Sequence, residues 1–254
     1  MNFFKPAITS ITLLIVSVSV MTARPEDGAA LTAVKSMQAI ESDNPPAWWN
    51  PEVDPETQSG IGIRVAKLLN KLNLQDTSQS EKVRQLLTEH YSRVWAWHQS
   101  VDPKLDTAWR EWDRARDSSN GKTKDELKAL AIMTEVIDPI YAEFSPQIHR
   151  LLTSLNQCLG ETETIRLLDI ITRSPGVDRT YKAYLDMIPE LSESEKLVLR
   201  NRLEQARTES LAAWSDSRII KIFKKHKVRN EFSIDYFGYG YRERYSAWTQ
   251  SLKN

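Results

Sequence analysis

Two stretches of the chain concentrate the residue types that bind or transform polar ligands. The first holds Thr172, Arg173, Ser174, Thr180, Tyr181, Lys182, Tyr184 and Asp186. Sugars are bound by flat aromatic faces together with charged or planar hydrogen-bonding side chains, and this segment offers both kinds. A structural reading competes with that one: Tyr181, Tyr184 and Leu185 form the core face of a short helix, and Ser174, Pro175 and Gly176 form a tight turn. The second stretch runs Lys221, Lys224, Lys225, His226, Lys227 and Arg229, then Asn230, Phe232, Tyr236, Phe237, Tyr239, Tyr241 and Tyr245. Cations clustered beside aromatics suit an anionic polymer such as a uronate-rich or sulfated polysaccharide. The same cations are also what the solvated face of an amphipathic helix would carry, since Ile219, Ile220 and Phe223 supply its apolar face. The residues expected to bind ligand are Arg173, Tyr181, Lys182, Tyr184 and Asp186 in the first stretch. In the second they are Lys225, His226, Arg229, Asn230, Tyr236 and Tyr239.

Catalytic constellations are harder to find. His90, His98, His149 and His226 include no two-histidine metal spacing with a carboxylate between, so neither a metal nor another cofactor is expected. His98, three residues after Trp95, has the chemistry of a general base but also that of a hydrogen-bonded histidine at a helix end. With 34 acidic residues, a pair such as Asp169 and Asp186 is expected by chance and gives glycosidase chemistry no specific support. No Gly-rich phosphate loop or nucleophile elbow occurs. Cys158 is the only cysteine, which excludes an intrachain disulfide and a thiolate metal cluster. Its neighbours Leu155 and Leu159 place it on a helix core.

The elements that must position these residues are helices. Ile61, Val65, Leu68, Leu69 and Leu72 share one face at spacings of three and four. Ser/Thr-x-x-Glu boxes at Ser78 with Glu81, Thr123 with Glu126 and Ser192 with Glu195 predict helix starts. The first of these helices is expected to end near Ser100, with Asp102-Pro103 starting another; Trp109 and Trp112 share a face of the new piece. A turn is predicted at 117–121, and Pro139 and Pro146 are expected to divide the following stretch into two or three short helices. Later helices are predicted over 148–159, 162–172, 178–187, 192–214 and 216–227, and Gly238 and Gly240 predict a loop. Strand patterns and internal repeats are essentially absent. Trp95 and Trp97 lie about 200° apart on a helix, so at most one faces the core. Trp48 and Trp49, beside Pro45 and Pro46, serve either as a stacking platform or as a cover over the domain.

The N-terminal residues read as an export signal: Lys5 supplies a positive charge, and a mostly apolar run from Ile8 to Met21 ends at Thr22 and Ala23. That run is short of the roughly 20 apolar residues a permanent span takes, so cleavage after Ala23 is expected and no stable membrane span should remain. An uncleaved N-terminal anchor is the alternative. Residues 24–60, with Pro25, Pro45, Pro46, Pro51 and Pro55, form a Pro-rich leader with only a short helical possibility around Leu31 to Ile40. Removing residues 1–23 takes one of 34 basic residues and none of 34 acidic ones, leaving 33 against 34, so global charge selects no partner. A hydrophobic content of 41% and eight tryptophans are enough for a real core. The expected architecture is a single all-α domain over 61–254, of roughly eight to ten amphipathic helices, behind a signal peptide (1–23) and the leader (24–60).

The segment from Arg173 through Thr180, Tyr181, Lys182, Ala183, Tyr184, Leu185, Asp186 and Pro189 to the helix start Ser192-Glu193-Ser194-Glu195-Lys196 resembles the core motif of a secreted bacterial family, domain of unknown function 3826. The resemblance runs from about Ile61 to Trp248. Where the family commonly has a threonine-tyrosine-glycine stretch after its aspartate, this chain has Ile170-Ile171-Thr172-Arg173-Ser174-Pro175-Gly176 after Asp169. The resemblance implies a helical domain, a periplasmic or secreted location and carbohydrate handling, and it transfers no catalytic residue. Carbohydrate binding is therefore the expected function, with no nucleic-acid partner. The alternatives are a lyase-like or hydrolytic enzyme on acidic polysaccharide, with Tyr181 or His226 moving the proton, and a helical accessory or chaperone-like protein.

Overall fold

Helix starts in this chain are written mostly by aspartate and serine. Asp54 caps helix α1 (Pro55–Leu72) by accepting from Thr57 N at 2.9 Å, with Pro55 in the first turn, where its missing N–H costs nothing. Asp76 accepts from Gln79 N at 3.0 Å and starts α2 (Thr77–Ala115); Asp125 accepts from Lys128 N at 2.9 Å and starts α3 (Glu126–Ile132). These two carboxylates take the places expected of Ser78 and Thr123, an ionised acceptor matching the positive helix end better than a hydroxyl. At α7 (Glu193–Glu209) the expected capping box is present, Ser192 and Glu195 each satisfying the other's backbone N–H. The computed structural model describes residues 35, 37–40, 44–117, 124–172 and 175–253. The expected signal peptide, most of the first half of the leader, Thr123, Arg173 and Ser174 lie outside them.

The remaining elements are a π-helical turn (Met133–Ile137), α4 (Asp138–Leu159), α5 (Glu161–Thr172), α6 (Pro175–Met187), a 3₁₀ turn (Ser210–Ala212), α8 (Asp216–Tyr236) and α9 (Tyr241–Ser251). Among the described residues there are nine α-helices and no strand, which makes the fold a single all-α domain. None of those helices is long and apolar enough to cross a membrane.

Two expected helix breaks do not occur. Pro103 lies inside α2, a helix of 39 residues, and Pro146 lies inside α4. Interior proline costs ~3 kcal/mol, but apolar side chains bury on both sides of each one: Trp97 before and Leu105, Trp109 and Trp112 after Pro103, and Phe144 and Ile148 around Pro146. Tertiary burial outweighs the local defect. Pro139 follows the π-turn in the first turn of α4, where proline is tolerated. Helix α8 continues nine residues past the expected end at Lys227, because Val228, Asn230 and Ile234 still face the interior. Gly238 (φ 92°) and Gly240 (φ 68°) then turn the chain into α9 through backbone conformations that side chains disfavour.

The helices pack around two apolar cores. The larger, built on α1 to α5 with the start of α8, contains Val65, Leu87, Trp97, Trp109, Trp112, Phe144 and Leu155. The smaller, built on α6, α7 and the end of α8, contains Val177, Tyr184, Ile188, Leu199, Leu203 and Ile234, with Tyr241 and Trp248 of α9 against it. Phe223 touches both. Trp97 is buried while Trp95 is only half-buried, as their spacing requires. Trp48 and Trp49 are buried in the larger core, so the leader covers the domain there instead of offering a stacking platform. The Arg93 guanidinium sits 3.9 Å over the Trp49 ring and donates from Nε to Trp49 O at 2.7 Å.

Candidate functional site

The basic run in α8 is divided by the helical period. Residues 226, 229, 233 and 236 fall on one side, whereas 227 and 231 fall on the opposite one. The first side forms one wall of a cavity of about 1220 Å³, with α7 and the α3–π-turn–α4 segment as the others. Lys225 is fully buried beneath two lining residues, Asp138 and Glu209, which form the floor. Its ammonium donates to Asp138 Oδ1 at 2.8 Å and to Glu209 Oε1, with the Tyr141 ring centroid 5.1 Å away. Arg229 pairs with the other oxygen of Asp138, and His226 Nε2–H donates to Glu209 Oε2 at 3.0 Å.

This is a compensated network. A buried ammonium is costly unless it is paired and hydrogen-bonded, and two carboxylates from different helices meet that condition. Burial pushes the Glu209 carboxyl up, but the adjacent Lys225 ammonium outweighs burial and holds it well below the ordinary carboxylate range. Burial pushes His226 down, more than Glu209 raises it, so the ring is neutral with its proton on Nε2; its Nδ1 is buried without a hydrogen-bond partner among the described residues. Burial likewise pushes the Tyr141 phenol far up, so it stays protonated. Asp138 opens α4 directly after the π-turn, a helix irregularity that often accompanies functional sites.

Above this floor the cavity is lined by hydrogen-bonding groups of α7, Asn201, Arg202, Glu204, Gln205 and Thr208, and by Phe232. Tyr236 stands at the rim, 89% exposed. Each carboxylate of the lining is met by a cation, Asp138 by Lys225 and Arg229, Glu209 by Lys225, and Glu204 by Arg200 and Arg207. Two further cations of the run are also engaged, Lys221 with Asp113 at 2.9 Å and Lys224 with the same carboxylate at 4.0 Å. On this side of α8 the run therefore presents paired cations and not an open cationic patch.

Of the residues expected to bind ligand, His226, Arg229 and Tyr236 line this cavity, and Lys225 is buried behind two of its lining residues, Asp138 and Glu209. Asn230 is also buried, donating from Nδ2 to Leu199 O at 3.1 Å. The other expected residues are elsewhere. Lys182 and Asp186 form an exposed 2.7 Å ion pair on α6. Tyr181 is half-buried with Arg200 5.3 Å from its ring centroid, and Tyr184 is buried in the smaller core. Tyr239 O–H donates to Glu195 Oε2 at 2.9 Å, fastening the α8–α9 turn to the start of α7. Asp138, Glu209 and the α7 polar group were missed. The signal for the α7 group is a polar stripe at Asn201, Gln205 and Thr208, spaced by four and three; the pairing of Asp138 with Lys225 spans 87 residues and has no local signal.

A second histidine network is structural. His90 Nε2–H donates to Leu211 O at 3.0 Å, and Gln147 Nε2 approaches His90 Nδ1 at 3.4 Å. Gln147 Oε1 accepts from Arg93 at 2.8 Å, completing a chain from the 3₁₀ turn to the leader. Burial pushes His90 down to about 4. His98 bridges Asp102 Oδ1 at 2.7 Å and Ala212 O at 2.8 Å, as a hydrogen-bonded histidine of the helix. Cys158 is half-buried against the larger core, and no group of three or more potential metal ligands occurs among the described residues. The family model described as "Protein of unknown function (DUF3826)" matches residues 59–254. No curated protein matches the chain.

Proposed function

We propose that this chain, which belongs to the DUF3826 family, is an exported protein that binds an uncharged oligosaccharide in the α4–α7–α8 cavity. The observation that carries the reading is the combination at that cavity of an exposed aromatic face, Tyr236, with a dense polar lining whose carboxylates are all paired. A pyranose has apolar C–H faces that stack on such a ring and hydroxyls that both donate and accept. Amide, hydroxyl, carboxylate and guanidinium groups side by side satisfy both roles. A volume of about 1220 Å³ exceeds the usual small-molecule pocket of ~300–1,000 Å³, which suits several linked sugar rings. That pairing disfavours a polyanion, whose carboxylates would find Lys225 and Arg229 already engaged.

Native affinity electrophoresis through gels containing neutral polysaccharides tests this. Retardation by at least one polymer, lost in Tyr236→Ala, is the expected result; Tyr236 contributes almost no burial, so the variant keeps its fold. Unchanged mobility across glucans, galactans, mannans and arabinans would overturn it. A second reading, an enzyme acting on the same ligand, draws on the neutral His226 oriented by Glu209. It predicts new reducing ends, from hydrolysis, when the retarding polymer is incubated with the protein, and their loss in His226→Gln.

A further inference from the structure

The opposite side of α8 borders another cavity, of about 450 Å³, between α6, α8 and α9. It has a different character. Tyr241, Tyr245 and Trp248, at spacings of four and three, put three aromatic rings on one face of α9, and all three line the cavity. Tyr241 and Tyr245 stack with centroids 5.7 Å apart, and Trp248 follows at 6.1 Å. Helix α9 nevertheless buries none of its residues. An aromatic stripe at this spacing ordinarily packs flat against its neighbours; here a small-molecule-sized space remains between the rings and α6.

Arg179, Lys227 and Glu231 also line this space. The Glu231 carboxylate is taken by Arg116 at 3.6 Å from the other side. Lys227 is half-buried, yet among the described residues its ammonium makes no hydrogen bond or close ion pair. It differs in this from Lys221, Lys224 and Lys225 of the same helix. Burial pushes the Lys227 ammonium down and the Glu231 carboxyl up, so an anion brought to Lys227 would relieve a real desolvation penalty. Lys227, with no close ion pair among the described residues, thus stands beside flat aromatic faces.

The geometry points to a second binding site here, for a ligand that joins a six-membered ring to a carboxylate: the ring stacks on Tyr245 and Trp248, and the carboxylate pairs with Lys227. Two kinds of molecule carry that chemistry, a uronate sugar residue and an aromatic acid. The site shares no lining residue with the larger cavity and stands independently of the reading given for it.

Isothermal titration of the whole protein with a galacturonate oligomer, a glucuronate oligomer, 4-hydroxycinnamate and the neutral galactose oligomer tests the site. Saturable binding of at least one carboxylated ligand is expected. Lys227→Met and Tyr245→Ala should each weaken it at least tenfold, Lys227→Arg should restore it, and Tyr236→Ala should leave it unchanged. Tyr245 is 47% exposed, so its removal leaves the fold intact. Binding of uronates alone identifies a sugar acid, binding of the cinnamate alone identifies an aromatic acid, and binding of both supports the shared chemistry. The proposal is overturned if no carboxylated ligand binds, if carboxylated and neutral oligomers bind alike, or if Lys227→Met has no effect. Affinity lost in Tyr236→Ala but kept in Tyr245→Ala would overturn it while leaving the first cavity's reading in place.

Discussion

The larger core and the smaller core treat polar groups in opposite ways. In the larger, His90, Arg93, Gln147 and Lys225 are buried and handed partners from distant segments: Leu211 O, Trp49 O, Asp138, Glu209. In the smaller, the charged pairs sit at the surface, as in Lys182 with Asp186, the buried Asn230 is neutral and bonded to Leu199 O, and among the described residues Lys227 borders an aromatic space without a close partner. Helix α8 runs through both regions. What separates Lys225 from Lys227 is two residues, or about 200° of helix. A run of cations in a sequence therefore does not define a surface; the carboxylates that meet it do, and these are placed by the fold.

The largest expected effect breaks the comparison at its centre. Lys225→Met leaves Asp138 and Glu209 buried with one cationic partner fewer, and truncating one member of a buried ion cluster costs about 3–5 kcal/mol. Urea unfolding should show that loss as a lower midpoint, whereas Lys227→Met should stay within about 1 kcal/mol of the parent. Adding Glu209→Gln to Lys225→Met should recover part of the loss, since it removes a charge that the first change stranded. Equal midpoints for the two lysine variants would erase the distinction between the two sides of α8.

A pH profile sharpens the same contrast. The His90 pKa is lowered from 6.5 to about 4, so the native ring stays neutral where the unfolded ring takes up a proton. Its contribution is fully present above pH 6.5 and is lost as pH falls from 6.5 to 4, by up to roughly 3 kcal/mol at ~1.4 kcal/mol per pH unit. His226, also held low by burial, acts in the same direction. Denaturation curves at pH 7.5 and 4.5 should differ less for His90→Gln than for the parent. An equal difference in both proteins would mean that the acid sensitivity comes from elsewhere.

How much of this was legible follows the range of each interaction. The helical class, the capping box at Ser192 and the Gly238–Gly240 turn are local and could be read directly. Proline breaks were overcalled at Pro103 and Pro146 because local cost was visible and the burial of Trp109 or Phe144 was not. Residues 225, 226, 229 and 236 were found as a basic, aromatic cluster, but the sign of their surroundings was not, because Asp138 and Glu209 arrive from 87 and 16 residues away. The α6 candidates are dispersed for the converse reason: Tyr181, Lys182, Tyr184 and Asp186 are close in sequence, and a helix spreads them around its circumference.

Lys182 gives the smallest effect and the cleanest test of that lesson. Its ammonium lies 2.7 Å from Asp186, as good a distance as Lys225 has to Asp138, but the two side chains are 73% and 43% exposed. Water already solvates both charges, so their attraction is weak, and holding two long side chains together costs entropy that offsets most of it. Lys182→Ala should therefore shift the urea midpoint by less than about 0.5 kcal/mol and become indistinguishable from the parent in 1 M salt, where the screening length is about 3 Å. Lys225→Met should keep most of its deficit there, because the ammonium has no exposed surface and salt screens a buried pair much less. A salt response of similar size in both variants would show that contact distance, not burial, sets the strength of these pairs, and would remove the physical basis for separating the two regions.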